Sequence, residues 1–189
     1  MKKYGGQALT DKEVLRIIPN RSTKKGKVQA IAALEAFTNQ LSWQFIDHKD
    51  TEAVISLLVM LRKKYSEKRK LFITWDTIAT HQSNLLSRWI EKNNTDSIKK
   101  ANGPIIKVVP LPSKAQFLNV IESVFGGMKK AVIYNSDYSS RKEMEEAIHR
   151  HFLERNIFFK KNPKRVGHKI WDKEDFDLDR LHGGLFKKM

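Results

Sequence analysis

Residues 71–76 read LFITWD, and this short segment indicates the fold class of the chain. Five apolar or β-favouring residues before an acid are typical of a buried strand, here one that ends at Asp76. Residues 105–109 (IIKVV) form a second such run, which Pro110 stops. Apolar residues at helical spacing predict a helix between the two runs, over about residues 82–92. The segment therefore predicts a strand–helix–strand order.

The same order extends in both directions from this segment. Residues 28–38 alone fit either a helix or a buried strand, but the Asn39-Gln40 turn and the β-rich residues 41–46 favour a hairpin. A helix capped by Asp50 or Thr51 is predicted, ending near Tyr65. Further predictions are a polar loop over 93–103, a helix holding Ile121, Val124, Phe125 and Met128, and a last helix over about 140–155. The predicted architecture is α/β, a mixed sheet flanked by helices, with sites at the carboxyl ends of strands.

Charge points to a polyanionic partner. The 189 residues contain 36 Lys and Arg against 21 Asp and Glu, a formal net charge of +15. Such a surplus favours nucleic acid over the alternatives of simple solubility or an anionic membrane. Lys160, Lys161, Lys164 and Arg165 form one of the basic clusters; they are either a solvated tail or phosphate contacts.

The absence of cysteine excludes disulfides, thiolate metal sites and cysteine nucleophiles, and it fits a reducing compartment. No apolar run approaches the ~18 residues of a membrane span. The first residues lack the apolar stretch of a signal peptide. We therefore expect a cytoplasmic protein, nucleoid-associated in a bacterium, with no membrane partner.

Two carboxylates, those of Asp76 and Glu122, are candidate metal ligands. Asp76 ends a strand, although an Asp there often serves only as a helix cap or turn former. Asn119 and Glu122 are three residues apart before an apolar helical face, which fits a capping box as well as a carboxylate facing a cleft. Hard oxygen ligands suit Mg²⁺ or Mn²⁺, and such ions promote phosphodiester cleavage. The pair therefore predicts a metal site at Asp76 and Glu122 that acts on nucleic acid; no other cofactor is expected.

The chain resembles mariner-like insertion-sequence transposases in two blocks, residues 71–83 (LFITWDTIATHQS) and residues 110–129 (PLPSKAQFLNVIESVFGGMK). Its residues 162–171 also resemble the basic end of some of these proteins. The resemblance spans about residues 25–171. It implies an RNase H-like, retroviral-integrase-like fold, a DDE endonuclease that cuts and joins DNA, transposon ends and target DNA as partners, and Mg²⁺ or Mn²⁺ as cofactor. Asp76 would be the second catalytic acid and Glu122 the third, with His81 and Asn119 near the site.

The sequence differs from the family pattern in three ways. Thr77 replaces the usual Asn, the separation between Asp76 and Glu122 is long, and no first catalytic Asp is evident, because Asp11 and Glu13 lie in a polar stretch unlike a buried strand.

These departures predict a particular domain organisation. We expect a weakly patterned segment over 1–27, a partial catalytic domain over 28–171 without its first central strand, and a tail over 172–189 with an unassigned acidic patch. Such a chain would be truncated or separately encoded, inactive alone, and completed by an N-terminal part or by transposase subunits. The alternative is a non-catalytic nucleic-acid-binding remnant or regulator.

Overall fold

The computed structural model describes residues 7–9, 14–16, 27–75, 83–100, 103–111, 119–134 and 136–166. These residues form an α/β structure, as the sequence predicts, but the described strands pair as three separate two-stranded sheets rather than as one mixed sheet. The elements in chain order are β1 (Gln7–Leu9), β2 (Val14–Arg16), β3 (Gln29–Leu34), β4 (Leu41–Ile46), α1 (Thr51–Lys64), β5 (Lys70–Trp75), α2 (Asn84–Lys100), β6 (Ile105–Pro110), α3 (Ile121–Met128), a π-helical turn (Lys129–Ile133) and α4 (Arg141–Lys161). None of the helices among these residues is long and apolar enough to cross a membrane.

β3 and β4 form the predicted hairpin, with Leu34 opposite Leu41 next to the turn. Asn39 in the turn has φ +57°, a conformation that asparagine tolerates better than most residues. Successive side chains alternate between the two faces of the hairpin. Trp43 and its neighbours on one face pack in a core with Val124 of α3 and Phe152 of α4. The other face meets α1, so both faces of the hairpin are covered.

β5 and β6 are parallel and are joined by α2, which agrees with the predicted strand–helix–strand order. One face of this pair carries Ile106, which packs in a second core with Leu58 of α1 and Leu86 of α2. α1 thereby lies against both the hairpin and the parallel pair. Its start is fixed as predicted by Asp50, whose carboxylate accepts a hydrogen bond from the Ala53 N–H at 2.8 Å.

The predicted polar loop over 93–103 is wrong for most of its length, because α2 continues to Lys100. Polar side chains there form hydrogen bonds with residues that are distant in sequence, so the local pattern does not reveal these partners. Asn94 donates to the carbonyl of Ile106 at 2.9 Å and accepts from its N–H at 2.7 Å. Arg62 of α1 donates to Ser97 at 2.7 Å and also to Asn93. These contacts hold a polar helix against its neighbours.

Two further elements differ from the sequence prediction. β1 and β2 form an antiparallel hairpin within residues 1–27, where no strand was predicted, since three-residue strands are too short to show a period. Among the described residues, each of the two strands pairs only with the other. α4 runs to Lys161, beyond the predicted end near residue 155.

Candidate functional site

The carboxyl ends of β5 and β6 define the edge at which the predicted site begins. Trp75 pairs with Pro110 at the ends of the two parallel strands, and the Leu111 N–H donates to the Trp75 carbonyl at 3.0 Å. Trp75 packs against the core of α1 and α2 and so anchors this end of the strand. Asp76 follows Trp75 directly in the sequence, but Asp76 and His81 lie outside the described residues. The strand that precedes Asp76 is therefore confirmed, whereas the position of its carboxylate stays a prediction.

Glu122 lies on the first turn of α3, and its side chain is exposed. The packing of Val124 and Met128 in the hairpin core fixes the orientation of this helix. A carboxylate at a helix amino terminus is favoured by the helix dipole. Glu122 is therefore a solvent-facing carboxylate carried by a well-packed element.

Asn119 is not the N-cap of this helix. The N-cap is Val120, which has helical backbone angles, and no side chain caps the helix. The Asn119 side-chain amide instead donates to Glu122 Oε1 at 3.4 Å, and the Glu122 N–H donates to the Asn119 main-chain carbonyl at 3.0 Å. The capping-box interpretation is therefore wrong. Asn119 and Glu122 are brought together as an amide–carboxylate pair.

The donor chemistry of this pair fits a hard divalent cation, because a carboxylate and an amide both offer oxygen ligands. The pair supplies only part of a binding site. In the described part of the chain, no group of three or more His, Cys, Asp or Glu side chains could hold a metal ion. Further carboxylates would have to come from outside the described ranges, where Asp76 lies.

The predicted basic residues share one surface at the end of α4. Lys160 and Lys161 lie in the last turn of the helix, Lys164 and Arg165 follow it, and all four are exposed. The guanidinium of Arg165 lies 5.6 Å from the ring centroid of Phe37 in the hairpin turn. This aromatic contact was not predicted from sequence, because Phe37 is far from Arg165 along the chain.

The chain also returns to the hairpin at this point. The Val166 N–H donates to the Ala36 carbonyl at 2.8 Å, and Val166 is buried. Arg155 of α4 donates to the carbonyl of Asn39 at 2.7 Å. These contacts fix the basic cluster relative to the hairpin, so it is a structured surface up to Val166.

A family model described as DDE superfamily endonuclease matches residues 8–145, well over half of the chain. The chain belongs to the DDE superfamily endonucleases. No curated protein and no solved structure matches it. The match includes Asp76, His81, Asn119 and Glu122, so every residue predicted to lie at or near the metal site falls within the family region of the chain.

The limits of the family match differ from those of the predicted resemblance. The match begins at residue 8, within β1, rather than at about residue 25, and it ends in α4 before the basic cluster. It therefore includes Asp11 and Glu13, which lie outside the described residues. β1 ends at Leu9, two residues before Asp11. From the sequence alone, no buried strand is evident at Asp11, so Asp11 was not predicted to be the first catalytic acid.

Proposed function

We propose that this DDE endonuclease is a transposase of the mariner-like type, which cleaves DNA strands and joins them to a target. The observation that carries the proposal is the placement of Glu122. Its carboxylate is exposed on the first turn of α3, Asn119 donates to it, and both residues lie in the family region. The net charge of +15 supports DNA as the substrate.

In this proposal Asp76 and Glu122 hold divalent metal, Mg²⁺ or Mn²⁺. When bound, such ions activate an attacking water or hydroxyl and stabilise the leaving oxygen of a phosphodiester. Asn119 orients the Glu122 carboxylate through its side-chain amide, and its own oxygen can serve as a further ligand. We place His81, five residues after Asp76, near the site. The fold we propose is RNase H-like.

Asp11 is the residue we propose for the first acid of the DDE set. It follows a strand, β1, as Asp76 follows β5, and the family match begins ahead of it. The expectation that the chain lacks an identifiable first Asp stays a prediction beside this proposal.

The site is tested by substitutions that keep shape but remove charge: Asp11→Asn, Asp76→Asn and Glu122→Gln. Each variant is expected to lose Mn²⁺ affinity and Mg²⁺-dependent nicking of supercoiled DNA by about 100-fold or more, since even groups that only support metal ligands cost 10–100-fold. Glu13→Gln and Glu91→Gln are matched controls, because Glu13 is two residues after Asp11 in the sequence and Glu91 is an exposed acid of α2. Nicking that survives in Asp76→Asn and Glu122→Gln contradicts the metal site.

A second candidate is a nucleic-acid-binding protein without cleavage activity. The four exposed basic residues at the end of α4 favour it, because they need no metal to contact phosphates. Replacing Lys160, Lys161, Lys164 and Arg165 by Gln should reduce the slope of log affinity against log salt by about 3 to 4, at about 0.9 per phosphate contact. Salt-dependent binding in a protein that neither binds Mn²⁺ nor nicks DNA would support this second function over the first.

A further inference from the structure

One face of the parallel pair β5–β6 is open in the part of the chain that the structure describes. The residues on this face are Lys70, Phe72, Thr74, Ile105, Lys107 and Val109, and all except the half-buried Ile105 are exposed. Phe72 is 68 % exposed and Val109 46 % exposed, so the face combines apolar surface with two lysines.

This open face is unusual for a parallel pair. Parallel strands are found almost only where helices or other elements cover both faces, because their connections place helices there. Here α1 and α2 pack against the opposite face, through Leu58, Leu86 and Ile106. Within the described ranges, no element packs against Phe72 and Val109. The face is therefore expected to have an occupant.

The acidic patch over residues 172–179 has the complementary pattern. It contains five acids in eight residues, and Phe176 and Leu178 alternate with Asp175, Asp177 and Asp179. In an extended segment this alternation places the apolar side chains on one side and the acids on the other. Such a segment offers carboxylates to Lys70 and Lys107 and apolar groups to Phe72.

The patch is also long enough to reach the face. Val166 is held at the hairpin turn, and Phe176 is ten residues further along the chain. Ten extended residues span about 33 Å, which is close to the diameter of a domain of this size. Because both partners belong to one chain, the effective concentration of the segment is in the millimolar range for a short linker.

We propose that residues 172–179 dock on the open face of β5–β6, with Phe176 and Leu178 against Phe72 and the acids beside Lys70 and Lys107. The segment is favoured over a second copy of the chain because the +15 charge makes two copies repel. It is favoured over nucleic acid because, of the residues that the structure describes, this face carries two cations, Lys70 and Lys107, beside its apolar groups.

The absence of cysteine makes a direct test possible. A chain with Thr74→Cys and Leu178→Cys has a single possible disulfide within the chain. Its control carries Thr95→Cys and Leu178→Cys, because Thr95 is also an exposed threonine but lies on α2, on the covered side of the strands. We expect the first pair to oxidise within one chain about tenfold faster than the control or more, and this advantage to fall at ~0.5 M salt as charges are screened.

The outcomes decide between the occupants. Equal oxidation rates for the two pairs overturn the proposal, and disulfides found only between chains assign the face to a second copy. If an oligonucleotide protects the thiol introduced by Thr74→Cys and no disulfide to position 178 forms, the face belongs to nucleic acid instead.

A second measurement needs no substitution. Carbodiimide treatment of the unmodified protein should join Lys70 or Lys107 to acids of residues 172–179 within monomers, and the absence of these cross-links would also contradict the docking. Neither measurement depends on DNA cleavage or metal binding, so its result is independent of the proposed function.

Discussion

The hairpin half and the parallel half of this protein differ in how completely they are packed. The β3–β4 hairpin is covered on one face by α3 and α4 and on the other by α1. The β5–β6 pair is covered by α1 and α2 on one face and, among the described residues, is open on the other. The first half carries Glu122, and the second leads into Asp76. Glu122 and Asp76 therefore depend on two different cores, which meet the β3–β4 hairpin through Ala32 and Ile31, respectively.

The two halves nevertheless share one structural device. Asn156 of α4 accepts from the Leu41 N–H and donates to the Leu41 carbonyl, both at 2.8 Å. Asn94 of α2 makes the same pair of bonds with Ile106. In each half, a helical asparagine therefore satisfies the outward-facing backbone groups of a strand residue, as a further strand would. This limits the unpaired edge that a short sheet exposes.

The largest effect is expected from breaking the hairpin core. Phe152 is fully buried and contacts the rings of Trp43 and Phe125 edge-on. Phe152→Ala should lower the free energy of unfolding by about 3–5 kcal/mol, through lost burial and a cavity. Phe158→Ala, on the exposed side of the same helix, should change it by less than about 0.5 kcal/mol. Urea unfolding measures both, and similar losses in the two variants would contradict the core assignment.

An intermediate loss in the free energy of unfolding is expected when Asn94 or Asn156 is replaced. Asn94→Leu and Asn156→Leu each leave a backbone N–H and carbonyl without their partner, which should cost about 1–3 kcal/mol. Asn94→Asp keeps the acceptor but loses the donor, so its loss should be smaller. Ser87→Ala, at an exposed position of α2, is the control. If the two Leu variants are as stable as this control in urea, the strand edges do not need these side chains.

The smallest change in the free energy of unfolding is expected from the contact between the end of α1 and the hairpin loop. This change depends on pH. The Tyr65 hydroxyl donates to the Glu35 carboxylate at 2.8 Å. Burial, together with this bond to Glu35, raises the pKa of Tyr65 well above its usual value of about 10. Above about pH 10 the unfolded chain loses the phenolic proton while the folded chain keeps it, so stability falls as pH rises further.

Tyr65→Phe removes this titration, so its free energy of unfolding should decline less steeply than that of the unmodified protein between about pH 9 and 11. Because Tyr65 is partly exposed, the difference is expected to be modest. Denaturant unfolding at several pH values measures it. Parallel pH profiles for the two proteins would show that Tyr65 titrates alike in both states.

Local patterns predicted the elements whose residues bury an apolar face. The hairpin, α1, β5 and β6 are confirmed, because alternation or helical spacing is imposed by a core on one side. The second half of α2 was missed since Asn93, Asn94 and Ser97 are typical of loops until their partners are known. β1 and β2 were missed since three residues carry no period. The sequence predicted that Asn119 lies near the site of Glu122. It did not predict that the Asn119 amide donates a hydrogen bond to the Glu122 carboxylate.

The sequence by itself determined the α/β class, the basic charge, the order of the strands from β3 onwards and the DDE superfamily, since these depend on residue types and spacing along the chain. Only the tertiary structure decided that Asn119 supports Glu122 rather than capping its helix, that Asn94 and Asn156 bind strand edges, and that one face of β5–β6 lies open. Each of these depends on which groups meet across the fold, and contacts between residues distant in sequence leave no local pattern that predicts them.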